Sequence, residues 1–171
     1  EAPQWVRDRA EADLAACACL GVSPLAIIVL RCAECIAPDC GSQLWDYVQS
    51  RVCFRPLGYD PMLNLLSLED LARAVRLALD GPSGVYNVPG KDTMPLSEVI
   101  ARSGRVGAPV PDFFLWPLYS LRSRVLGTQF RYDLARWRFH FSSVLDGQRA
   151  KDCLGYEPRF GIDWPRLPSW R

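Results

Sequence analysis

The sequence predicts an α/β fold in which helices alternate with short parallel strands. Residues 3–19 have the composition of a helix, and Pro3 suits its first turn. Residues 26–30 then form a short, uninterrupted apolar run with β-branched residues, which is typical of a buried parallel strand. A helix followed by such a strand is half of a βα unit, so we expect helices layered against a parallel sheet.

The elements that follow are predicted from turn residues and apolar spacing. Glycine, proline and aspartate make residues 32–42 an expected loop. After it we expect a helix at 43–50, strands at 52–55 and 62–66, a helix from Ser67 to about residue 80, a strand at 85–88, a short helix from Pro95 to about Gly104, a short helix between Asp146 and Gly155, and an irregular tail after Phe160.

The strongest local signal is the start of the helix at Ser67. Asp70 follows Ser67 by three residues, directly before the amphipathic spacing of Leu71, Val75 and Leu79. This pattern predicts a capping box, in which side chains bond the free N–H groups of the first turn. We therefore expect a structural capping role for Asp70. Near the end of the next strand, Gly90 is expected because the backbone bends sharply there.

Composition and charge exclude several classes of function. The chain has 171 residues, with 20 lysines and arginines against 19 aspartates and glutamates, so no basic surface predicts a nucleic-acid partner. Its seven cysteines are an odd number without regular spacing, which favours a reducing, cytoplasmic location. The apolar run at 25–30 is too short to cross a bilayer. Because the chain starts at Glu1 rather than methionine, we expect a fragment or a processed chain, and a lost leader stays possible.

Two groups of residues allow alternative interpretations. Cys32, Cys35 and Cys40 have a spacing that could hold zinc or an iron–sulfur centre, but small buried cysteines are the simpler interpretation, and we expect no metal. A redox pair of Cys32 and Cys35 lacks the usual surrounding motif. Residues 113–126 combine aromatic residues with arginines and could touch a membrane, although packing on the core or over a substrate pocket is expected more often.

Five stretches, in order, carry a resemblance to a known family. They are WVRDRAEAD at 5–13, VLR at 29–31, LSLEDLARA at 66–74, GVYNVPG at 84–90, and a tail with LDGQRA at 145–150 and LGYEPR at 154–159. Together they resemble the C-terminal part of the extended short-chain dehydrogenase/reductase family, of the NAD-dependent epimerase/dehydratase type. An unrelated α/β domain with chance matches is the alternative.

The resemblance implies an architecture and a class of ligands. The fold would be the C-terminal portion of a Rossmann-like, doubly wound parallel sheet with a small mixed α/β substrate lobe. Residues 1–50 would belong to the Rossmann-like core, 51–160 to the substrate lobe and returning core elements, and 161–171 to the tail. The cofactor would be NAD or NADP, and the substrate a nucleotide sugar or a related carbonyl compound.

The resemblance also assigns site residues. The family's catalytic tyrosine and lysine, one helical turn apart, correspond to Trp5 and Arg9. An indole has no proton that ionises near neutral pH, and arginine does not replace lysine, so catalysis by the family mechanism would be absent or weak. The implied cofactor-binding residues are Arg9, Cys32, Ala33 and Ile36, and the implied substrate-binding residues are Arg55, Asn87 and Arg131.

One part of the family pattern is absent from the sequence. There is no Gly-x-Gly-x-x-Gly turn, which holds the cofactor's pyrophosphate in Rossmann-like folds. We therefore expect that another chain or a preceding segment completes the sheet, and that this chain alone binds cofactor poorly. Two functions stay open: a partial NAD(P)-dependent enzyme, and a non-catalytic relative that serves in binding or assembly.

Overall fold

The computed structural model describes residues 4–22, 24–38, 40–126 and 130–164. The helices are α1 (Gln4–Ala18), α2 (Gln43–Val48), α3 (Leu68–Leu79), α4 (Leu96–Arg102), α5 (Asp112–Leu126), α6 (Tyr132–Ala135) and α7 (Gln148–Leu154), with a short 3-10 helix at Arg136–Phe139. The strands are β1 (Ile28–Cys32), β2 (Glu34–Cys35), β3 (Val52–Pro56), β4 (Met62–Leu66), β5 (Gly84–Val88), β6 (Asp92–Pro95) and β7 (Val106–Val110).

The described strands form three small sheets in which parallel pairing predominates. β1 lies parallel to β5, with Ile28 opposite Gly84 and Cys32 opposite Val88. β3 lies parallel to β7, and β2 lies parallel to β4, whose other edge pairs antiparallel with β6. Because parallel neighbours need long crossovers, helices connect them, and the predicted α/β class with parallel strands is confirmed.

Most of the predicted elements are present, and the missed strands have a common cause. The predictions for α1, α2, α3, α4, α7 and for β1, β3, β4 and β5 agree with the structure to within about two residues at most ends, the usual uncertainty of helix and strand boundaries. No helix was predicted where α5, α6 and the 3-10 helix lie. β2 has only two residues, while β6 and β7 contain proline and expose Thr93, Val106 and Pro109. Short or edge strands of this kind lack a clear apolar alternation, so sequence patterns do not reveal them.

Two clusters of buried side chains hold the described elements together. The larger surrounds a group of aromatic rings from α2, α5, the 3-10 helix and the segment before α6, in which Tyr47, Tyr119, Phe130 and Phe139 pack with ring centroids 4.8–6.4 Å apart. The smaller lies between α3, β5 and α7 and includes Leu66, Ala74, Tyr86, Val88, Ala150, Leu154 and Tyr156.

Asp70 joins the start of α3 to the C-terminal tail. Ser67 Oγ accepts the Asp70 N–H at 3.2 Å, so half of the predicted capping box is present. The Asp70 carboxylate is fully buried and accepts the N–H groups of Arg159 at 2.8 Å and Phe160 at 2.9 Å, and a bond from Arg73 at 2.7 Å. Its role is therefore structural, as predicted, but it extends beyond its own helix to residues almost ninety positions away.

Gly90 is required by a close approach between two chain segments. A Cβ atom at this position would lie 1.7 Å from the carbonyl oxygen of Leu65 in β4. The Asn64 side chain completes the contact, accepting the Gly90 N–H at 2.8 Å and donating to its carbonyl oxygen at 2.9 Å. The sequence correctly predicts that this position requires glycine, but the reason is lack of space for a side chain. A bent backbone does not explain it, because Gly90 does not have a positive φ.

Candidate functional site

A cleft opens where β1 and β5 end. Cys32 is the last residue of β1, and the Ala33 N–H donates to the carbonyl oxygen of Val88 at 2.9 Å, which joins the carboxyl ends of the two strands. In α/β folds, ligands bind at the carboxyl ends of parallel strands. We call this the strand-end cleft; its volume is about 420 Å³ and its lining residues are Arg9, Cys32, Ala33, Glu34, Cys35, Cys40, Gly41, Ser42, Gln43 and Arg138.

A smaller inner pocket adjoins the strand-end cleft. It has a volume of about 120 Å³ and shares Cys32, Ala33, Glu34, Gln43 and Arg138 with the cleft. Its other walls are mostly apolar and come from Leu44, Leu63, Phe130, Ala135, Phe139 and Leu145, with Asn64 and Ser143. The combination of apolar walls and a few polar groups is typical of small-molecule sites.

Glu34 is the central polar group of the cleft. Its Oε1 accepts a hydrogen bond from Ser42 Oγ at 2.6 Å, and its Oε2 accepts one from Arg138 Nη1. Ser42 in turn caps α2 by accepting the Trp45 N–H at 3.2 Å. A carboxylate held on both oxygens keeps a defined orientation, and the Arg138 side chain, 45% exposed, brings a guanidinium to the boundary of the two cavities.

Helix α1 reaches the cleft through Arg9 and contacts β1 through the Asp13–Arg31 ion pair. Arg31 Nη2 lies 2.5 Å from Asp13 Oδ2, and the Arg31 guanidinium lowers the pKa of the Asp13 carboxyl through that hydrogen bond. Trp5 lies one turn before Arg9, and its side chain lies outside the described residues. The predicted catalytic positions therefore lie on a helix that contributes to the cleft, while their chemical role stays a prediction.

The structure places the predicted cofactor-binding residues in two environments. Arg9, Cys32 and Ala33 line the strand-end cleft together. Ile36 is instead buried in the larger core, because the chain turns inward after β2. Cofactor binding by these residues stays a prediction.

The predicted substrate residues do not converge. Arg55 donates to the carbonyl oxygen of Tyr59 at 3.0 Å, and Asn87 donates to that of Asp146 at 3.0 Å. Arg131 pairs with Asp133 at 2.8 Å, and its backbone N–H donates to Gln43 Oε1, which belongs to a residue of the cleft. None of the three belongs to the residues that line the strand-end cleft, so their role in substrate binding stays a prediction.

Sequence reasoning missed Ser42 as a site residue, and it included Glu34 only within the segment 32–36 that was expected to line a cofactor pocket. Glu34 lies within the predicted loop, and only its two-residue strand orients it toward the cleft. Ser42 directly precedes α2, so the preference of serine for helix N-caps was the available signal. Arg138 is one of three arginines among aromatic residues at 130–138, a pattern that suits either an anionic diphosphate or a solvated surface, but no local pattern connects it with Glu34.

Three cysteines lie along the cleft, and the expectation that they are small buried residues is wrong, because Cys32 and Cys40 are exposed and Cys35 is half-buried at the cleft rim. The Cys35 and Cys40 sulfurs are 3.9 Å apart. Burial raises the pKa of the Cys35 thiol to about 12, and the neighbouring Cys40 adds to this increase. Burial also raises the pKa of Cys32, and protonated thiols are poor metal ligands. Among the described residues, no group of three or more histidine, cysteine, aspartate or glutamate side chains is arranged to hold an ion.

The aromatic segment at 113–126 forms α5, which has a buried side and an exposed side. Leu115 and Tyr119 are buried, and the Tyr119 hydroxyl donates to the Phe54 carbonyl oxygen at 2.9 Å. Phe113 and Trp116 are exposed. Within the described ranges, no helix combines the length and apolarity needed to cross a membrane. Contact of α5 with a membrane surface stays a prediction.

Comparisons by sequence identify relatives but no described family. No protein-family model matches the chain. Uncharacterized proteins of Mycobacterium bovis and Mycobacterium tuberculosis are 34% identical to it over 140 residues, which is 80% of the chain. The chain spans only 36% of the length of these relatives.

Comparisons by structure identify the fold. MoeE5, solved with UDP-glucuronic acid and NAD, matches 91% of this chain and 50% of its own, with a TM-score of 0.61 and 16% identity. DesIV, a dTDP-glucose 4,6-dehydratase from Streptomyces venezuelae, matches 90% of this chain over 45% of its own length, with a TM-score of 0.60 and 17% identity. UDP-glucuronic acid 4-epimerase from Bacillus cereus matches 80% of this chain over 41% of its own length, with a TM-score of 0.55 and 13% identity. The chain thus has the fold of part of the NAD-dependent nucleotide-sugar epimerases and dehydratases, consistent with their C-terminal portion, which confirms the predicted resemblance to extended short-chain dehydrogenases at the level of fold.

Proposed function

We propose that this chain is the substrate-side portion of a NAD-dependent epimerase/dehydratase-type protein and that it binds a nucleotide sugar or related ligand without turning it over. The observation that carries the proposal is the strand-end cleft, which brings Arg9, Cys32 and Ala33 together at the carboxyl ends of β1 and β5. Its volume of about 420 Å³ falls within the range of small-molecule sites.

The charges of the cleft suit an anionic ligand. Arg9 and Arg138 both line it, and guanidinium groups bind phosphates through paired N–H bonds. Arg138 is held by Glu34, so a diphosphate would compete with a carboxylate that Ser42 keeps in place. Binding would therefore release Arg138 from Glu34.

The cofactor side of the proposed site is incomplete. NAD, when bound, would supply hydride-transfer chemistry, and Arg9, Cys32 and Ala33 would lie on its nicotinamide side. The sequence has no Gly-rich turn for the pyrophosphate, so these residues fit only part of the cofactor. We expect NAD to bind this chain more weakly than a nucleotide sugar.

The proposed absence of turnover follows from the residues at the two catalytic positions. An indole at Trp5 cannot exchange a proton with a substrate hydroxyl near neutral pH, and Arg9 is bulkier and more rigid than an amine. The alternative of a non-catalytic binding or assembly module rests on the same two substitutions. Activity measurements separate it from a weak enzyme.

Binding is tested by isothermal titration of the 171-residue chain with UDP-glucuronic acid and, separately, with NAD. Arg138→Ala should weaken sugar-nucleotide binding about tenfold, as expected for the loss of one charge-assisted contact of about 1.4 kcal/mol. Arg136→Ala is the matched control, because Arg136 is exposed, pairs with Asp112 at 3.0 Å and does not line the cleft. No heat of binding for either ligand, or equal effects of the two variants, would contradict the proposal.

Turnover is tested by a double substitution. Trp5→Tyr with Arg9→Lys restores a phenol and an amine one helical turn apart. In a chain shown to bind NAD and sugar nucleotide, we expect NADH absorbance or product to appear only in the double variant. Activity of the unaltered chain would overturn the proposed lack of turnover, and an inactive double variant that binds both ligands would show that the two positions are misassigned.

A further inference from the structure

Two thiols meet at the rim of the strand-end cleft. Cys35 ends β2 and is half-buried, while Cys40 is exposed and directly precedes Gly41, which has a φ of +62°. Their sulfur atoms are 3.9 Å apart, and both side chains line the cleft. A disulfide needs a sulfur–sulfur distance of about 2.05 Å, so closure requires a sulfur displacement of about 2 Å, within the reach of side-chain rotation.

We propose that Cys35 and Cys40 form a reversible intramolecular disulfide when the protein meets a hydroperoxide, which makes the rim of the cleft an oxidation-sensitive site. The proposal goes beyond ligand binding and does not depend on it. It differs from the Cys32–Cys35 pair considered from sequence spacing, because the structure brings Cys35 next to Cys40.

The chemistry balances with one hydroperoxide for each disulfide. Cys40, the more exposed thiol, attacks the peroxide oxygen, the O–O bond breaks, and a sulfenic acid and one water form when hydrogen peroxide is the oxidant. The Cys35 sulfur then attacks the Cys40 sulfur, and the sulfenic hydroxyl leaves with the Cys35 proton as a second water. Two thiols are oxidised by two electrons and the peroxide is reduced. A dithiol reductant reverses the change by thiol–disulfide exchange.

Closure would alter the cleft next to its central carboxylate. Cys35 adjoins Glu34 in β2, and Cys40 lies two residues before Ser42, the donor to Glu34. A covalent bond between these two neighbours would pull the start of the α2 cap toward β2. The Ser42–Glu34 contact therefore belongs to the part of the cleft that the disulfide would change.

The test is disulfide mapping of the full chain after one equivalent of hydrogen peroxide and alkylation of the remaining thiols. Trypsin releases residues 32–51, which contain Cys32, Cys35 and Cys40, and cleavage before Asp39 and Asp46 divides them into 32–38, 39–45 and 46–51. We expect 32–38 to stay linked to 39–45, with a loss of two of the seven thiols that a dithiol reductant restores. Release of 39–45 with an internal Cys32–Cys35 bond in 32–38 would overturn the proposal.

Single substitutions identify the partners. Cys35→Ser and Cys40→Ser should each abolish the link, while Cys32→Ser should keep it. Cys153→Ser is the matched control for general thiol loss, because Cys153 is exposed on α7, far along the chain. Since Cys40 is exposed, Cys40→Ser keeps the test valid if Cys35→Ser fails to fold. A link that persists in the Cys35→Ser or Cys40→Ser chain would refute the assignment.

Discussion

Helices α3 and α1 both carry motifs that point to one family, yet the structure holds them in different ways. α3 begins at a side-chain cap, buries Asp70, Ala74 and Ala78, and is fastened to the tail through the Asp70 carboxylate. Among the described side chains of α1, none is buried, and the Asp13–Arg31 ion pair connects it to β1.

The difference between the two helices indicates that α3 mainly stabilises the fold, whereas α1 mainly shapes the cleft. The surroundings of α3 contain a buried carboxylate and a glycine with no space for a side chain, so changes there should lower the stability of the chain. α1 contributes Arg9 to the cleft but little buried surface, so changes there should move the cleft wall while the rest stays folded. Three substitutions test this contrast.

The largest effect is expected at Gly90. Gly90→Ala would place a methyl group 1.7 Å from the Leu65 carbonyl oxygen, so the backbone before α3 must shift. We expect a loss of about 3 kcal/mol in the free energy of unfolding, measured by urea denaturation. Gly107→Ala is the control, since its nearest contact is an Ile100 side-chain carbon at 3.5 Å and it should change stability little. Equal stability of the two variants would contradict the close-approach explanation.

A slightly smaller loss of stability is expected on substitution of Asp70. Asp70→Ala removes the acceptor for the Arg159 and Phe160 N–H groups and for Arg73, and should cost about 2–3 kcal/mol in urea denaturation. Glu69→Ala, in the same helical turn but exposed, should change stability by less than about 0.5 kcal/mol. Faster hydrogen exchange at Arg159 and Phe160 in the Asp70 variant alone would show that the tail is released. Unchanged exchange there would argue against the anchoring role.

The smallest effect on stability is expected at the α1 contact, where the informative quantity is a pKa. Arg31 lowers the pKa of Asp13 from its ordinary value of 3.8. Because the folded pKa is the lower one, the ion pair contributes fully above the unfolded value and is lost as pH falls through the folded value. Arg31→Gln should raise the Asp13 pKa toward 3.8 in an NMR carboxyl titration, with almost no change in stability. Arg102→Gln is the control, because it removes the exposed ion pair with Glu98 and should leave the pKa of Asp13 unchanged.

Prediction from sequence succeeded where the signal lies within a few residues. Ser67 caps α3 as predicted, and Gly155 ends α7 with a φ of +66°, the left-handed conformation that favours glycine. β4 occupies the predicted residues 62–66. Prediction from sequence failed for β6 and β7, because apolar and polar residues do not alternate clearly in them and their pairing partners are distant in sequence.

The candidate site was predicted only in part for the same reason. Arg9, Cys32 and Ala33 follow from the resemblance and do meet in one cleft. The Glu34–Arg138 contact joins residues 104 positions apart, and the sequence near either residue contains no trace of the other. Arg55, Asn87 and Arg131 were implied by the resemblance, and in the structure each bonds a local partner or a neighbouring backbone carbonyl, so their role in substrate binding stays a prediction.

The amino-acid sequence is enough to predict the α/β class, the helix start at Ser67, the helix end at Gly155 and the resemblance of the ordered motifs, because caps and apolar runs act over short distances. The folded structure was needed to show that Asp70 binds the tail, that Gly90 lies against the Leu65 carbonyl, and that Cys35 lies next to Cys40 at the cleft. These outcomes depend on which segments pack together, and burial of apolar surface selects that packing for the chain as a whole rather than residue by residue.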